Sequence, residues 1–211
     1  MTRLIIARHG NTFGPDDPLR RVGARTDLEL VQSGIEQGFQ LGTYLKDNSL
    51  IPDIIIAGPL KRTLQTAKIA AAMLESTAPA VTIDERLREI DYGPDEGRAE
   101  PDVIARIGEK ALKKWEAEAI PPEGWNINPE NVIQNWHDLA AEAFKFAPNG
   151  TVMIVTSNGI ARFAPHITND YETFRQNHVL KLSTGAIGIL NSEDGQQWGV
   201  SDWNIKPRDH I

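Results

Sequence analysis

Short apolar runs without polar alternation recur along the chain and predict buried β-strands. Four of them contain β-branched residues and are followed by glycine-containing segments; they lie at residues 4–7, 53–57, 152–156 and 186–190. Runs of this kind are typical of strands that are covered on both faces, as in a parallel sheet.

Between these runs the apolar residues follow a helical spacing. This spacing predicts amphipathic helices over residues 33–46 and 63–75. Strands that alternate with helices are typical of an α/β fold. We therefore predict a three-layer sandwich, in which a mainly parallel sheet is flanked by helices.

Residues 99–147 depart from this alternation. Two helical stretches, at 102–119 and 129–146, are separated by a Pro-Pro-Glu-Gly loop at residues 121–124. Three of the five tryptophans, Trp115, Trp125 and Trp136, also lie here. Because the strand pattern resumes directly afterwards, we predict a single domain over residues 1–211 with a helical, cap-like insertion at about 99–147. The tail at 198–211 is expected to be irregular or a short helix.

The composition excludes several classes of protein. The 211 residues carry a net charge of −7, which disfavours nucleic acid and anionic membranes as partners. The chain has no cysteine, so it has no disulfide, thiolate nucleophile or cysteine-based metal site. No apolar run reaches the roughly 18 residues of a membrane-spanning helix, and the start lacks the apolar core of a signal peptide. We expect a soluble, cytoplasmic protein without a metal or an organic cofactor.

Positive charge is concentrated near the start of the chain. Residues 1–70 contain nine basic and seven acidic residues, whereas residues 71–211 contain 13 and 22. The arginines of the first segment include Arg8, Arg21, Arg25 and Arg62. A local positive field of this kind suits a small anionic ligand, even though the whole chain is acidic.

Three of the predicted strands are followed by residues of the types that bind or transfer phosphoryl groups. The first strand runs into Arg8 and His9, the second leads to Arg62, and the third leads to Asn158. In an open α/β sheet, ligands bind beyond the carboxyl ends of the strands. Guanidinium groups match phosphoryl oxygens, and an imidazole beside the small Gly10 can act as a nucleophile. This set favours phosphoryl transfer over metal-dependent hydrolysis.

Four segments of the chain resemble the histidine phosphatase superfamily, which has the phosphoglycerate mutase-like fold. Arg-His-Gly-Asn-Thr at residues 8–12 is similar to its Arg-His-Gly-Glu/Gln-Thr/Ser signature. Residues 58–67 resemble its Ser-Pro-Leu-x-Arg-Thr-x-Gln-Thr-Ala block almost residue for residue. Residues 23–34 and 87–97 resemble two further blocks, of which the second carries the family's acid.

The resemblance implies a role for each matching residue. His9 would be the nucleophile that becomes phosphohistidine, and Glu89 would protonate the leaving oxygen and then activate water. The expected site comprises two catalytic residues, four phosphate ligands and two rim residues: His9 and Glu89; Arg8, Asn11, Arg62 and Asn158; Arg21 and Gly23.

One position departs from the family's pattern. The family has Ser-His-Gly after its later strand, whereas this chain has Ser157, Asn158 and Gly159. An amide donates a hydrogen bond but carries no positive charge. We expect chemistry that is about tenfold to a hundredfold slower in consequence. His166 and His178 follow the same strand and are alternatives for the missing imidazole.

The resemblance implies a phosphomonoester hydrolase that acts through phosphohistidine on a small phosphorylated metabolite. Residues 87–97 resemble the phosphatase branches of the family more than the glycolytic mutases. Two alternatives stay open. One is a phosphomutase, and the other is a catalytically weakened phosphoester-binding or interaction protein, which Asn158 motivates. The tryptophan-rich insertion is expected to shape the specificity pocket.

Overall fold

The computed structural model describes residues 1–74 and 78–210, and the strands of this part form one mixed sheet. The strands are β1 (Thr2–Arg8), β2 (Ile54–Ala57), β3 (Val81–Ile83), β4 (Thr151–Thr156), β5 (Ile187–Ser192) and β6 (Gly199–Ile205). Their order in the sheet is β3-β2-β4-β1-β5-β6. The pairs β3–β2, β2–β4 and β4–β1 are parallel, whereas β5 is antiparallel to both β1 and β6.

Helices cover both faces of this sheet. They are α1 (Gln32–Asp47), α2 (Lys61–Met73), α3 (Glu100–Ile107), α4 (Glu109–Glu118), α5 (Pro129–Phe146), α6 (Asn158–Ala161) and α7 (Tyr171–Asn177). Alternate side chains of a strand project to opposite faces. Ile5 and Ala7 of β1 accordingly pack in the cluster that contains α1 and α2, and Leu4 and Ile6 pack in the cluster that contains α5. The predicted three-layer α/β fold with a mainly parallel sheet is confirmed.

Helix α5 shows how the local sequence sets the packing. Asn128 caps it, because the Asn128 side-chain oxygen accepts a hydrogen bond of 3.1 Å from the backbone N–H of Asn131, and Pro129 occupies its first turn. Its buried residues recur at helical spacing: Trp136, Leu139, Ala140 and Ala143. This stripe faces the sheet, and the opposite side of the helix faces solvent. None of the described helices combines the length and the apolar character that a bilayer crossing requires.

Strands β1, β2 and β4 end at the same edge of the sheet. Arg8 is paired with Thr156, and Ala57 is paired with Val155, so the three strand ends lie in register. The segments that follow the strands therefore meet, as the sequence predicts for parallel strands.

The C-terminal prediction is wrong. Residues 199–205, expected to be irregular or helical, form the edge strand β6, and a short 3₁₀ turn follows at Pro207–Asp209. The residues of β6 are partly or fully exposed, so the segment lacks the apolar run that marks a buried strand. Its pairing with β5 decides the structure. Ile211, the last residue of this prediction, lies outside the described residues, as does Glu75 at the predicted end of the second helix.

The helix predicted over residues 102–119 is divided into α3 and α4. Gly108 separates the two helices with φ of 80°, a backbone conformation that residues with a side chain rarely adopt. The structure also contains β3, a three-residue edge strand with no counterpart in the prediction. A pattern of apolar residues records neither a break at a single glycine nor a strand of only three residues.

Candidate active site

A cavity of about 450 Å³ opens at the shared edge of β1, β2 and β4. Its lining contains seven of the eight residues expected at the site: Arg8, His9, Asn11, Arg21, Arg62, Glu89 and Asn158. Gly23 lies behind this lining instead of at the rim. Its carbonyl oxygen accepts a 3.3 Å hydrogen bond from Nη2 of Arg62, so it supports a lining residue.

His9 presents one free ring nitrogen to this cavity. Its Nδ1 lies 2.7 Å from the carbonyl oxygen of Gly10 and donates to it, which leaves Nε2 as the nitrogen with a lone pair. Burial, and then the charges of Arg62 and Arg8, lower the pKa of His9 well below its usual 6.5. The imidazole is therefore neutral near pH 7, the form that a nucleophile requires.

Two guanidinium groups flank the imidazole. Nη1 of Arg8 donates to the carbonyl oxygen of Leu182 at 2.7 Å, and Nη1 of Arg62 donates to that of Thr26 at 2.8 Å. Burial lowers the pKa of both arginines, but a guanidinium starts from so high a value that it stays charged. Nε of Arg8 is buried without a hydrogen-bond partner in the described residues, so it is available to an anion.

Glu89 is buried and anchored by backbone groups. Its Oε1 accepts a hydrogen bond of 2.9 Å from the Ile90 N–H, and Oε2 accepts one of 3.1 Å from the Gly159 N–H. Burial raises the pKa of Glu89 above its usual 4.5, although the charge of Arg62 acts in the opposite direction. Arg88 turns away to an ion pair with Glu85 at 2.9 Å. The raised pKa favours the protonated form of Glu89, which is the form that can act as an acid.

The absence of a side chain at Gly159 allows the Glu89 carboxyl group to occupy its position. A Cβ atom at residue 159 would overlap Oε1 of Glu89. We expect Gly159→Ala to displace the carboxyl group and to lower kcat about 10²-fold, because a misplacement of about 1 Å has effects of that size. Steady-state phosphate release from a phosphomonoester, the activity that the family resemblance implies, measures the effect. The matched control is Gly199→Ala, where nothing lies within 4 Å of the new Cβ. Wild-type kcat in Gly159→Ala would contradict the prediction.

Asn11 and Asn158 present amide groups to the cavity. Nδ2 of Asn11 donates to the Ser33 hydroxyl at 3.2 Å. Oδ1 of Asn158 accepts a hydrogen bond of 3.1 Å from the Leu182 N–H. The hydrogen bonds of the described residues leave Nδ2 of Asn158 unused. This N–H₂ group is therefore a free donor for a ligand oxygen.

Neither alternative histidine reaches the cavity. The His166 ring stacks on Tyr171 with 3.6 Å between ring centroids, and the His178 ring stacks on Phe174 at 4.9 Å. Both histidines lie outside the residues that line the cavity. Neither therefore brings an imidazole to the cavity beside Asn158.

Arg162 lines the cavity, although no sequence motif singled it out. Its side chain is 1% exposed, and Nη1 donates to the carbonyl oxygen of Trp115 at 2.6 Å. It follows Asn158 by four residues, about one helical turn, and this spacing is the signal that could have identified it. Trp115 also lines the cavity, whereas Trp136 belongs to the core and donates from Nε1 to the Ile160 carbonyl oxygen at 2.9 Å.

Arg21 lies at the outer part of the cavity. Its Nη2 donates to both carboxylate oxygens of Glu100, at 2.8 and 2.7 Å, and its guanidinium lies over the rings of Tyr92 and Trp125. Arg25 is not among the lining residues and is occupied elsewhere by ion pairs with Asp91 and Glu96. Of Arg21 and Arg25, only Arg21 therefore lines the cavity, and its neighbour Arg20 lines it too.

The assembled groups have one chemistry in common. A neutral imidazole, two charged guanidinium groups and a carboxyl group with a raised pKa converge on one cavity. A family model described as "Histidine phosphatase superfamily (branch 1)" matches residues 4–206. The chain belongs to this superfamily. Its four matching segments and the fold therefore lead to the same assignment.

Curated relatives of this chain carry the names of mutases. The 2,3-bisphosphoglycerate-dependent phosphoglycerate mutase of Arthrobacter sp. (strain FB24) is 30% identical over 113 residues, which cover 54% of this chain and 45% of that protein. The corresponding protein of Rhodococcus jostii (strain RHA1) is 30% identical over 112 residues, which cover 53% and 44%. The match thus spans less than half the length of these relatives.

Solved structures share the fold over nearly the whole chain. "Mycobacterial hydrolase 1" has a TM-score of 0.80 at 22% identity, with 97% of this chain and 98% of that chain covered. A mycobacterial glucosyl-3-phosphoglycerate phosphatase has a TM-score of 0.78 at 21% identity, with coverage of 97% and 99%. A phosphoserine phosphatase from Entamoeba histolytica has a TM-score of 0.75 at 24% identity, with coverage of 97% and 98%. At these identities the likeness concerns the histidine phosphatase fold alone.

Proposed function

We propose that this protein is a phosphomonoester hydrolase that acts through a phosphohistidine at His9. The observation that carries the proposal is the state of the His9 ring. Its Nδ1 is fixed on the Gly10 carbonyl oxygen at 2.7 Å, and its neutral Nε2 belongs to the same cavity as Arg8, Arg62 and Glu89. This combination supplies a nucleophile, ligands for the phosphoryl oxygens and an acid.

The first step transfers the phosphoryl group to the protein. Nε2 of His9 attacks the phosphorus atom with its lone pair, and the bond between phosphorus and the ester oxygen breaks. The Glu89 carboxyl group gives its proton to the departing oxygen, so the product leaves as a neutral alcohol. Arg8 and Arg62 stabilise the negative charge of the transferred group, and the Asn158 amide donates to it.

The second step returns the protein to its starting state. The Glu89 carboxylate takes a proton from water, and the water oxygen attacks phosphorus. The bond between phosphorus and Nε2 breaks, inorganic phosphate leaves, and the His9 ring is neutral again. Glu89 holds the proton for the next cycle.

A phosphate-release assay with quench trapping tests the proposal. The protein is incubated with a panel of small phosphomonoesters, and the phosphoprotein is trapped by a rapid alkaline quench. A phosphoryl group on a histidine nitrogen is stable in base and labile in acid. The expected result is phosphate release together with an acid-labile phosphoprotein that carries the phosphoryl group on His9. A phosphoryl group that maps to another residue would contradict the mechanism. Turnover that survives the loss of His9 would contradict it as well.

The proposed substrate is a small phosphorylated metabolite, and the products of the assay separate hydrolysis from transfer. The names of the solved neighbours, which include phosphatases of phosphoserine and of glucosyl-3-phosphoglycerate, support this class. The mutase names of the curated relatives support transfer instead. Release of inorganic phosphate in amounts equal to the alcohol product indicates a hydrolase, whereas an isomeric phosphoester indicates a mutase.

A second candidate function is a phosphoester-binding protein with little turnover, and Asn158 favours it. This residue supplies a neutral donor to the cavity and no charge. Binding of inorganic phosphate by a wild-type protein that turns over none of the esters would establish this function in place of hydrolysis.

The substitution Asn158→His tests whether a missing charge limits the rate. We expect it to raise kcat by about tenfold to a hundredfold, since charge-assisted hydrogen bonds are about twice as strong as neutral ones. Asn158→Ala is the control that removes the amide without adding charge, and it should be slower than wild type. A histidine variant that is no faster than wild type would show that the charge at this position does not limit turnover.

A further inference from the structure

We propose that Arg162, assisted by Arg21, forms a second anion subsite that binds a carboxylate on the leaving-group part of the substrate. The inference rests on the proposed function, because a leaving group exists only where the protein cleaves a phosphoester. It concerns donors that the two chemical steps above do not use.

The Arg162 guanidinium is buried but only partly neutralised. Nη1 donates to the Trp115 carbonyl oxygen at 2.6 Å, and the guanidinium carbon lies 3.9 Å from the centre of the Trp115 ring. Its ion pair within the described residues is long, with 3.9 Å between Nη2 and Oε1 of Glu116, whose side chain is 42% exposed. This distance exceeds a hydrogen bond. A buried charge without a bonded counter-ion is costly, and an anionic ligand that reaches Nη2 offsets this cost.

Arg21 and Tyr92 add donors that lack acceptors. Nη2 of Arg21 is occupied by Glu100, but its Nε is buried without a hydrogen-bond partner in the described residues. The Tyr92 hydroxyl likewise has no hydrogen-bond partner in the part of the chain that the structure describes. Arg21, Tyr92 and Arg162 line the same cavity. An oxygen-rich group in this part of the cavity would therefore meet several unused donors.

Arg162 lies close to the segment that anchors Glu89. Nε of Arg162 is 3.4 Å from the backbone carbonyl oxygen of Asn158, and the neighbouring Gly159 N–H donates to Glu89. The charges that act on the pKa of Glu89 accordingly include Arg162, whereas those that lower the pKa of His9 are Arg62 and Arg8. Since Glu89 protonates the leaving oxygen, Arg162 stands beside the leaving group.

The charge balance favours a carboxylate over a second phosphate. Glu100 neutralises Arg21 through both of its oxygens, so of these two arginines it is Arg162 that carries the excess positive charge, and Glu116 reduces it further. One planar guanidinium matches one planar carboxylate. A dianionic phosphate would leave negative charge uncompensated close to Glu116.

Matched ester pairs that differ in one carboxylate test the subsite. The pairs are 2-phosphoglycolate with ethyl phosphate, and 3-phosphoglycerate with glycerol 3-phosphate. In at least one pair, wild type is expected to have a kcat/KM about tenfold or more higher for the carboxylated ester. Arg162→Met should lower that value by about tenfold to a hundredfold and leave kcat/KM for the ester without a carboxylate within about threefold of wild type. The kcat/KM of Arg162→Lys for the carboxylated ester should lie between the values of wild type and Arg162→Met. Arg208→Met, at an exposed arginine far along the chain, is the matched control.

The outcomes separate three roles of Arg162. An equal loss of kcat/KM on both members of a pair would assign Arg162 to the transferred phosphoryl group and overturn the subsite. No loss on either member would also overturn it. Turnover of the ester without a carboxylate also reports whether Arg162→Met is folded. If it is not, Arg21→Gln replaces it: a reduced preference for the carboxylated ester supports the subsite, and an unchanged preference overturns it.

Failure of the proposed function has a different signature. If wild type hydrolyses none of the four esters, calorimetric titration with 3-phosphoglycerate and glycerol 3-phosphate replaces the kinetic assay. A preference of about tenfold for the carboxylated ester that disappears in Arg162→Met upholds the subsite in a binding protein. Equal affinities of wild type for the two esters overturn it.

Discussion

Substitution of His9 by alanine is expected to reduce phosphomonoester turnover by at least about 10³-fold, because the covalent nucleophile is lost. The ring is neutral and held by the Gly10 carbonyl oxygen at 2.7 Å. Among the described residues that line the cavity, no second side chain is an imidazole. Steady-state phosphate release measures the loss. The acid-labile phosphoprotein should disappear with it, since alanine has no atom to carry the phosphoryl group.

The same variant should still bind inorganic phosphate. Arg8, Arg62 and Asn158 lie in the cavity independently of the imidazole, and they provide the charged and amide donors. A matched control is His137→Ala, at an exposed histidine on α5, which should leave turnover and trapping unchanged. Retained turnover in His9→Ala would refute the phosphohistidine mechanism, whereas loss of both turnover and phosphate binding would indicate a damaged fold.

The strand ends of the site are predictable from sequence because their signal is local. Residues 4–7 and 152–156 are apolar on both faces, since both faces of a central strand are covered. Parallel pairing then brings His9 and Asn158 to one edge without further information. Arg62 follows by the same reasoning, because it lies in the first turn of the helix after the neighbouring strand.

Other features depend on contacts between distant segments. The edge strand β6 has an exposed, polar sequence, and only pairing with β5 makes it a strand. The burial of Glu89 depends on its contact with Gly159, 70 residues away along the chain. Arg162 is buried because Trp115 of α4 folds over it. A local pattern of apolar residues contains none of these long-range contacts. The burial of Glu89 and the geometry of the second anion subsite around Arg162 are therefore visible only in the structure.

The substitution Glu89→Gln is expected to lower kcat for alkyl phosphates by about 10²- to 10⁴-fold, the usual range for the loss of a general acid and base. Glutamine keeps the size of the side chain but has no proton to give at the pH of the assay. With p-nitrophenyl phosphate, whose leaving group needs no proton, the first step should survive and the second should not. Rapid-quench experiments should then show a burst of p-nitrophenol and accumulation of phosphohistidine.

The matched control for this substitution is Glu85→Gln. Glu85 lies four residues earlier and pairs with Arg88 at 2.9 Å on the surface, so its loss should leave kcat unchanged. Equal losses for the alkyl and the p-nitrophenyl ester, with no burst, would show that Glu89 does not transfer the proton to the leaving oxygen.

The pH dependence of kcat/KM tests the role of Glu89 as an acid. The pKa of His9 is lowered below 6.5, so the nucleophile becomes available as pH rises through a range more acidic than that of a free histidine. The pKa of Glu89 is raised above 4.5 by burial, so the acid is lost only as pH rises through a range more basic than that of a free glutamate. We therefore expect kcat/KM for alkyl phosphates to rise and then fall with pH, and the falling limb to vanish in Glu89→Gln, which has no proton to lose. A falling limb that persists in this variant would assign the acid to another group.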